Sequence, residues 1–336
     1  MEAERTIGPS TSAWRARLRA ATSTGIPGTR EERIVFWCLL ALAAVLRGWD
    51  LPHLPFMHDE ISALVRLYPT WAETLSRGVI AVDTHPPGVQ LFEWLWTRAF
   101  GSEEWVMKLP FILMSLAALF HLYRFASAWT NTTVALIATA LMATLQYFVL
   151  YGQIARPYAF GLFTTAAAAD FLTRWIANDR RRDLWLLTAM TVLSAYTHHF
   201  ALLQALLIVA AGSTLIAPAQ RKPFLIAGAV ALLCYLPNIT ITLHQLALGG
   251  LGEWLRAPDE WWLLDYAWWI VHCSGVMLVA VLALLAWSFM QRVQGGGSAG
   301  PFVRTMLLWG LAPLVLGLAY SLLRAPVLQY SVLIFS

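Results

Sequence analysis

Long apolar runs alternate with short polar breaks along this chain, and most of the breaks carry arginine. Crossing about 30 Å of hydrocarbon takes roughly 20 residues of helix. Runs near that length cover 34–49, 106–126, 133–151, 159–176, 184–198, 199–217, 223–241, 266–290 and 303–323. Backbone polar groups in lipid must be satisfied within the segment, so each run is expected to be a helix. The pattern predicts an all-α polytopic membrane protein with nine transmembrane helices. Residues 86–100, PPGVQLFEWLWTRAF, are expected to lie along the interface instead. As a helix they reach only about 22 Å, and Gln90, Glu93 and Thr97 form a polar stripe on one face.

Basic residues then set the orientation. Clusters fall at Arg5 to Arg33, Arg124, Arg174 with Arg180–Arg182, Arg221–Lys222, and Arg292 with Arg304. With the N-terminus inside, all of them are cytosolic, and they hold 15 of the 23 basic residues. Residues 1–33 are expected to be a mobile, cytosolic basic tail, since a cleavable signal would place its apolar stretch earlier. Residues 34–336 make the transmembrane domain. A large first outer loop spans 50–105 and should hold amphipathic juxtamembrane helices. Further outer turns fall at 152–158, near 198 and at 242–265. Residues 291–304 read as a flexible cytosolic linker. The last residues, SVLIFS, are apolar, and the natural protein is expected to continue beyond them.

Composition narrows the class. The mean hydropathy is +0.61 and only 12% of residues are charged, against about 25% in soluble domains. A soluble enzyme, a disordered chain and a nucleic-acid binder are excluded, and the pI near 9.1 reports basic cytosolic loops. Cys38, Cys234 and Cys273 lie in apolar runs with no metal or disulfide spacing. Asn131 and Asn238 match glycosylation sequons but fall on the cytosolic side and at a membrane edge.

The first outer loop holds 8 of the 19 acids, among them Asp59-Glu60 just beyond the first span, and Asp83 two residues before His85. In isolation an acidic pair suits a helix cap as well as it suits catalysis. Asp59 and Arg66 are seven apart and share a helical face. Pro86 and Pro87 suit a helix start, where backbone N–H groups near Gly88 could meet an anion. Arg156 sits at a membrane edge and needs an anionic partner, unless it snorkels to headgroups. Thr197-His198-His199 ends on the same side. Zinc is disfavoured there, because adjacent histidines on a helix point about 100° apart and no further ligand falls at metal spacing. Asp170 is best read as the acid of an i,i+4 pair with Arg174.

Taken together, His58-Asp59-Glu60, Thr84-His85-Pro86-Pro87-Gly88, Ala155-Arg156-Pro157-Tyr158 and Thr197-His198 resemble the GT-C glycosyltransferases, in particular the protein O-mannosyltransferase and aminoarabinose-transferase branch. The resemblance runs from residue 34 to 240. Many members carry Arg-Tyr where this chain has Gln329-Tyr330, which is a departure.

The resemblance implies a sugar donor on a polyprenyl phosphate, used at the outer face of a bacterial cytoplasmic membrane. The acceptor would be a hydroxyl on a lipid, a glycan or a protein. Such chemistry needs one carboxylate as base and positive charge at the leaving phosphate. Asp59 is expected to be the general base, with Glu60 positioning it or the acceptor. Arg156, His85, Tyr158, His198, Arg66 and the Gly88 backbone are expected around the phosphate. A divalent cation is left open, with Asp59, Glu60 and Asp83 as its oxygen ligands. The alternatives are a transporter or flippase of lipid-linked substrates and a non-catalytic truncated relative. The absence of an internal repeat argues against the transporter.

Overall fold

The computed structural model describes residues 11–23, 25–248, 255–294 and 301–336. Residues 1–10 of the N-terminal tail, part of the outer loop at 242–265, and positions 295–300 of the linker lie outside the described residues. Among those described, every regular element is a helix. In order, the helices are α1 (Thr11–Thr22), α2 (Arg30–Gly48), α3 (His58–Leu64), α4 (Trp71–Glu73), α5 (Pro87–Phe100), α6 (Glu104–Trp129), α7 (Thr132–Thr144) and α8 (Gln146–Gln153). They continue with α9 (Pro157–Asn178), α10 (Arg181–Thr197), α11 (His199–Leu215), α12 (Pro218–Ala247), α13 (Trp262–Ile270), α14 (Gly275–Gln294) and α15 (Pro301–Leu323). A π-helical segment covers Thr74–Ile80, and 3-10 turns cover Leu51–His53 and Ser331–Phe335.

Among the described residues, four helices are long and apolar enough to cross a membrane: α2 with its extension to His53, α6, α12 and α15. The number rises to six if each of two bent pairs is one crossing. The run expected at 133–151 bends by 60° between α7 and α8, and the run at 266–290 bends by 95° between α13 and α14. The runs at 159–176, 184–198 and 199–217 form α9, α10 and α11, none of which meets that length and apolarity alone. The first is rich in Ala and Thr and packs at the centre of the bundle, against α6, α10, α11 and α1.

The bend between α7 and α8 has an identifiable support. A helix that stops leaves its last carbonyls without intrahelical partners. Arg47 of α2, with no solvent exposure, donates to the carbonyls of Met142 and Ala143 at 3.0 Å each and of Phe148 at 3.2 Å. Its Nε donates to Ser115 Oγ at 2.6 Å. Gly152 allows this approach, since a Cβ there would lie 2.6 Å from Ser115 Oγ and 2.9 Å from Arg47 Nε.

The basic tail is partly built into the fold. Helix α1 docks through Leu18 into the cluster around Trp175, Leu172 and Phe224. Its arginines cap helix ends: Arg15 donates to the Leu215 carbonyl, Arg17 to Thr130 O at 2.9 Å, and Arg19 to Ala177 O at 2.9 Å. These carbonyls lie at the C-termini of α11, α6 and α9, where orphan acceptors and the negative end of the helix dipole favour cations. Residues 11–22 are therefore a docked helix, and the expectation of a mobile tail does not hold for them.

Helix α5, expected to lie along the interface, turns its polar stripe inward and leaves part of its apolar side exposed. Gln90 and Glu93 are buried, while Leu95 is 62% exposed. The anchors are Phe92 and Trp96, packed with Met107, Phe111 and Phe160, and a Trp96 indole N–H bonded to Val106 O. The polar stripe faces inward, toward charged groups of the preceding loops.

Asp170 pairs with Arg174 at 3.2 Å as expected, and also meets His121 at 2.8 Å and Arg124 at 3.3 Å across the α6–α9 contact. Three cationic or ionisable partners around one carboxylate make this a structural ion cluster.

Replacing Arg47 by Met strands carbonyls at the α7–α8 bend, each worth about 1–3 kcal/mol when buried and unpaired. Chemical unfolding of the detergent-solubilised Arg47→Met variant should show a loss of about 3 kcal/mol or more. Parental stability would refute this role.

Candidate functional site

A cavity of about 710 Å³ opens between α3, the loop before α5, the α8–α9 turn, the α10–α11 junction and the segment after α15. Asp59, Arg66, Asp83, His85, Arg156 and His198 form its polar wall, joined by Ser62, Tyr158 and His199. The apolar lining includes Leu203, Leu246, Leu255, Leu316, Val327 and Val332. The polar residues alone come from four separate stretches of sequence, 59–66, 83–85, 156–158 and 198–199, and meet in one space.

Asp83 organises the polar wall. Its Oδ2 meets Arg66 Nη1 at 3.0 Å, and its Oδ1 meets His85 Nδ1 at 2.8 Å and the His85 backbone N–H at 3.1 Å. An Asp side chain that bonds the backbone two residues on is a local turn device. Burial would push the Asp83 carboxyl up; the His85 ring and the Arg66 and Arg156 guanidiniums outweigh it and hold it well below the usual carboxylate range. The loop is also clamped from α12. Gln245 donates to the His85 carbonyl at 2.6 Å and to the Asp83 carbonyl at 3.3 Å, and its oxygen meets His199 Nε2 at 3.1 Å.

Arg156 is buried at the N-cap of α9, where Pro157 occupies the first helical position. Its Nη2 lies 3.4 Å from His85 Nδ1. That ring nitrogen is already engaged by Asp83 at 2.8 Å, so the guanidinium is weakly committed. Its Nε is buried with no hydrogen-bond partner among the described residues. His198 accepts from the Phe200 N–H at 3.0 Å, so it caps α11 while lining the cavity.

The acidic pair divides its work. Asp59 is exposed in the first turn of α3, on the cavity wall. Glu60, one position on, is fully buried and lies off the cavity. Its Oε2 accepts from Met57 N–H at 2.7 Å and meets Lys108 Nζ at 3.1 Å; its Oε1 accepts from Ala155 N–H at 2.7 Å. Glu60 therefore ties α3 to α6 and to the turn bearing Arg156. With both oxygens occupied away from the cavity, its contacts fit the first of its two expected roles, positioning Asp59, and not the second, positioning the acceptor. Gly88 is also off the cavity. A Cβ there would lie 2.5 Å from the Tyr196 carbonyl, so the glycine serves the close contact of α5 with α10. Arg66 lines the cavity but is held by Asp83 and Ser62, the latter through 2.7 and 3.0 Å bonds.

Among the described residues no group of three His, Cys, Asp or Glu has the arrangement to hold a metal ion. Of the three suggested oxygen ligands, Glu60 and Asp83 are already engaged by cations.

Residues 84–241 match the family described as dolichyl-phosphate-mannose-protein mannosyltransferase. The match supports a GT-C glycosyltransferase. No curated protein and no solved structure matches the chain. The segment shared with the GT-C enzymes begins at the cavity loop and includes His85, Arg156, Tyr158 and His198. Asp59 and Arg66 precede it and join the site through the packing of α3.

Reading the sequence missed Lys108, Gln245, and the organising role of Asp83. Lys108 is one of only two lysines and stands in an apolar run, so a buried counter-ion could have been sought for it. The Asp83-x-His85 spacing is a readable turn signal. Gln245 carries no such mark. Gln329, where many members have arginine, does line the cavity.

Breaking a buried pair strands one charge, at a cost of about 3–5 kcal/mol. Lys108→Met should lose about that much in a denaturation experiment. Adding Glu60→Gln should recover part of it, because Gln still accepts from Ala155 without a charge. A neutral Lys108→Met would contradict the assignment.

Proposed function

We propose that this chain is an inverting membrane glycosyltransferase that moves a sugar from a polyprenyl-phosphate donor to an acceptor hydroxyl. The observation that carries the reading is one cavity holding an exposed carboxylate, Asp59, together with a weakly committed guanidinium, Arg156, and an apolar wall. The Asp59 carboxylate takes the proton of the acceptor hydroxyl. The resulting oxygen attacks the anomeric carbon from the face opposite the phosphate, and the sugar–phosphate C–O bond breaks. The electron pair leaves with the polyprenyl phosphate, which is a good enough leaving group to need no second acid.

Arg156 and His85 stabilise the charge developing on that phosphate. His85 has Nδ1 held by Asp83, so Nε2 is the ring nitrogen that meets a ligand. Tyr158 and His198 complete the polar wall. Arg66 acts through Asp83, and Glu60 acts by fixing both α3 and the Arg156 turn.

The domain reading places residues 1–33 on the cytosolic side and residues 34–336 in the cytoplasmic membrane of a bacterium, with nine crossings and the active site on the outer face. The basic clusters support that orientation. The acceptor hydroxyl belongs to a lipid, a glycan or a protein.

Purified protein given a labelled polyprenyl-phosphate sugar and its acceptor tests this. Asp59→Asn should lose transfer by about 10²-fold or more while still binding donor. Transfer at the parental rate would overturn the base assignment.

A further inference from the structure

On the inward face of α5, Glu93 is 1% exposed, and neither of its carboxylate oxygens has a hydrogen-bond partner among the described residues. One turn before it, Gln90 donates to Ala63 O of α3 at 2.7 Å, which fixes this face against the cavity wall. An acid so deeply buried and unpaired is uncommon unless it is neutral or has a task.

The charges around it come from several elements. Arg156, in the α8–α9 turn, acts on it most strongly, followed by Asp83 from the preceding loop, Arg66 from beyond α3 and Glu60 from α3. Lys108 on α6 is taken up by Glu60. Arg77 of the π-helical segment stacks on Tyr68, 4.6 Å from the ring centre. His85 belongs to Asp83, and His198 caps α11. Arg66 and Asp83 are committed to each other at 3.0 Å. Arg156 alone among these cations keeps an unpartnered buried nitrogen, its Nε.

We propose that Glu93 is a positioning residue that sets how much of the Arg156 charge is left for a phosphate in the cavity. The proposal rests on the reading that Arg156 meets that phosphate. With its proton on, Glu93 is neutral and Arg156 offers its full charge to the ligand. Val89 on the same helix and Ala155, next to Arg156, share one packed cluster, so with its proton off the nearby carboxylate offsets part of the Arg156 charge and competes with the phosphate. Burial pushes the Glu93 carboxyl up to about 8, against the opposing pull of Arg156. The neutral form therefore dominates at pH 7, and the competing form appears as pH rises past that value. A bound anion favours the protonated form further, so phosphate binding and protonation of Glu93 reinforce each other.

The test is binding of polyprenyl monophosphate to the purified full chain in detergent, from pH 6 to 9.5, for the parent, Glu93→Gln and Arg156→Gln. The probe's own ionisation cancels when parent and Glu93→Gln are compared at each pH. Their dissociation constants should agree near pH 6.5, and the parent should bind about tenfold more weakly than Glu93→Gln at pH 9. A ratio that stays flat with pH overturns the proposal; a purely structural Glu93 would give that flat ratio. Should Glu93→Gln fail to fold, Glu93→Leu serves in its place with the same expectation. Arg156→Gln separates the two levels. If it binds the probe as tightly as the parent, the phosphate reading itself fails. If it binds weakly while the parent and Glu93→Gln profiles run parallel, only the role of Glu93 fails.

Discussion

A charged group taken out of water must find its partners inside the protein, and the arrangement of this molecule follows from how its buried charges meet that demand. Arg47 has carbonyls freed by a helix bend. Glu60 has Lys108 and two backbone N–H groups. Asp83 has Arg66 and His85, and Asp170 has His121, Arg124 and Arg174. Arg47 with the α7 carbonyls, Glu60 with Lys108 and Ala155, and Asp170 with His121 and Arg124 join elements far apart in sequence, so these charges act as fasteners in a bundle whose outer faces are apolar. Among the described residues, buried charged groups keep unpartnered atoms at Arg124 Nε in the Asp170 cluster, at Arg156 Nε and at both Glu93 oxygens. Of these, Arg156 lines the cavity, where a ligand can supply what the protein leaves out.

The same constraint explains how scaffold and chemistry are divided within a few residues. Asp59 and Glu60 are neighbours on a short helix and point about 100° apart. One faces the cavity and keeps its carboxylate available. The other faces inward and ties together the two stretches that carry Asp59 and Arg156. In the loop before α5, Asp83 is the buried organiser and His85 the group presented to the cavity. Gln245 and His199 hold that loop from the far side.

Much of the fold was legible because apolar run length dictates helices, and all nine expected runs are helical. Where the runs bend was not legible: the 60° break between α7 and α8 depends on Arg47 reaching carbonyls nearly a hundred positions away. The polar stripe of α5 was readable, but its direction was set by the charges it meets. The basic tail gave no sign of docking, because the carbonyls that draw in Arg15, Arg17 and Arg19 exist only once α6, α9 and α11 end side by side. For the candidate site, the motifs singled out His85, Arg156 and Asp59, which the fold brings to one cavity. Periodicity alone could not separate Asp59 from Glu60, nor give Gly88 its close-packing role.

The central claim is that the Arg156–His85 corner of the cavity receives a lipid-linked phosphate. A cryo-electron microscopy structure of the full chain in nanodiscs with polyprenyl monophosphate added tests it directly. Phosphate density is expected within hydrogen-bonding distance of Arg156 and His85 Nε2, with the lipid chain along Leu203, Leu246 and Leu316. Phosphate bound elsewhere, with Arg156 facing an empty corner, would contradict it.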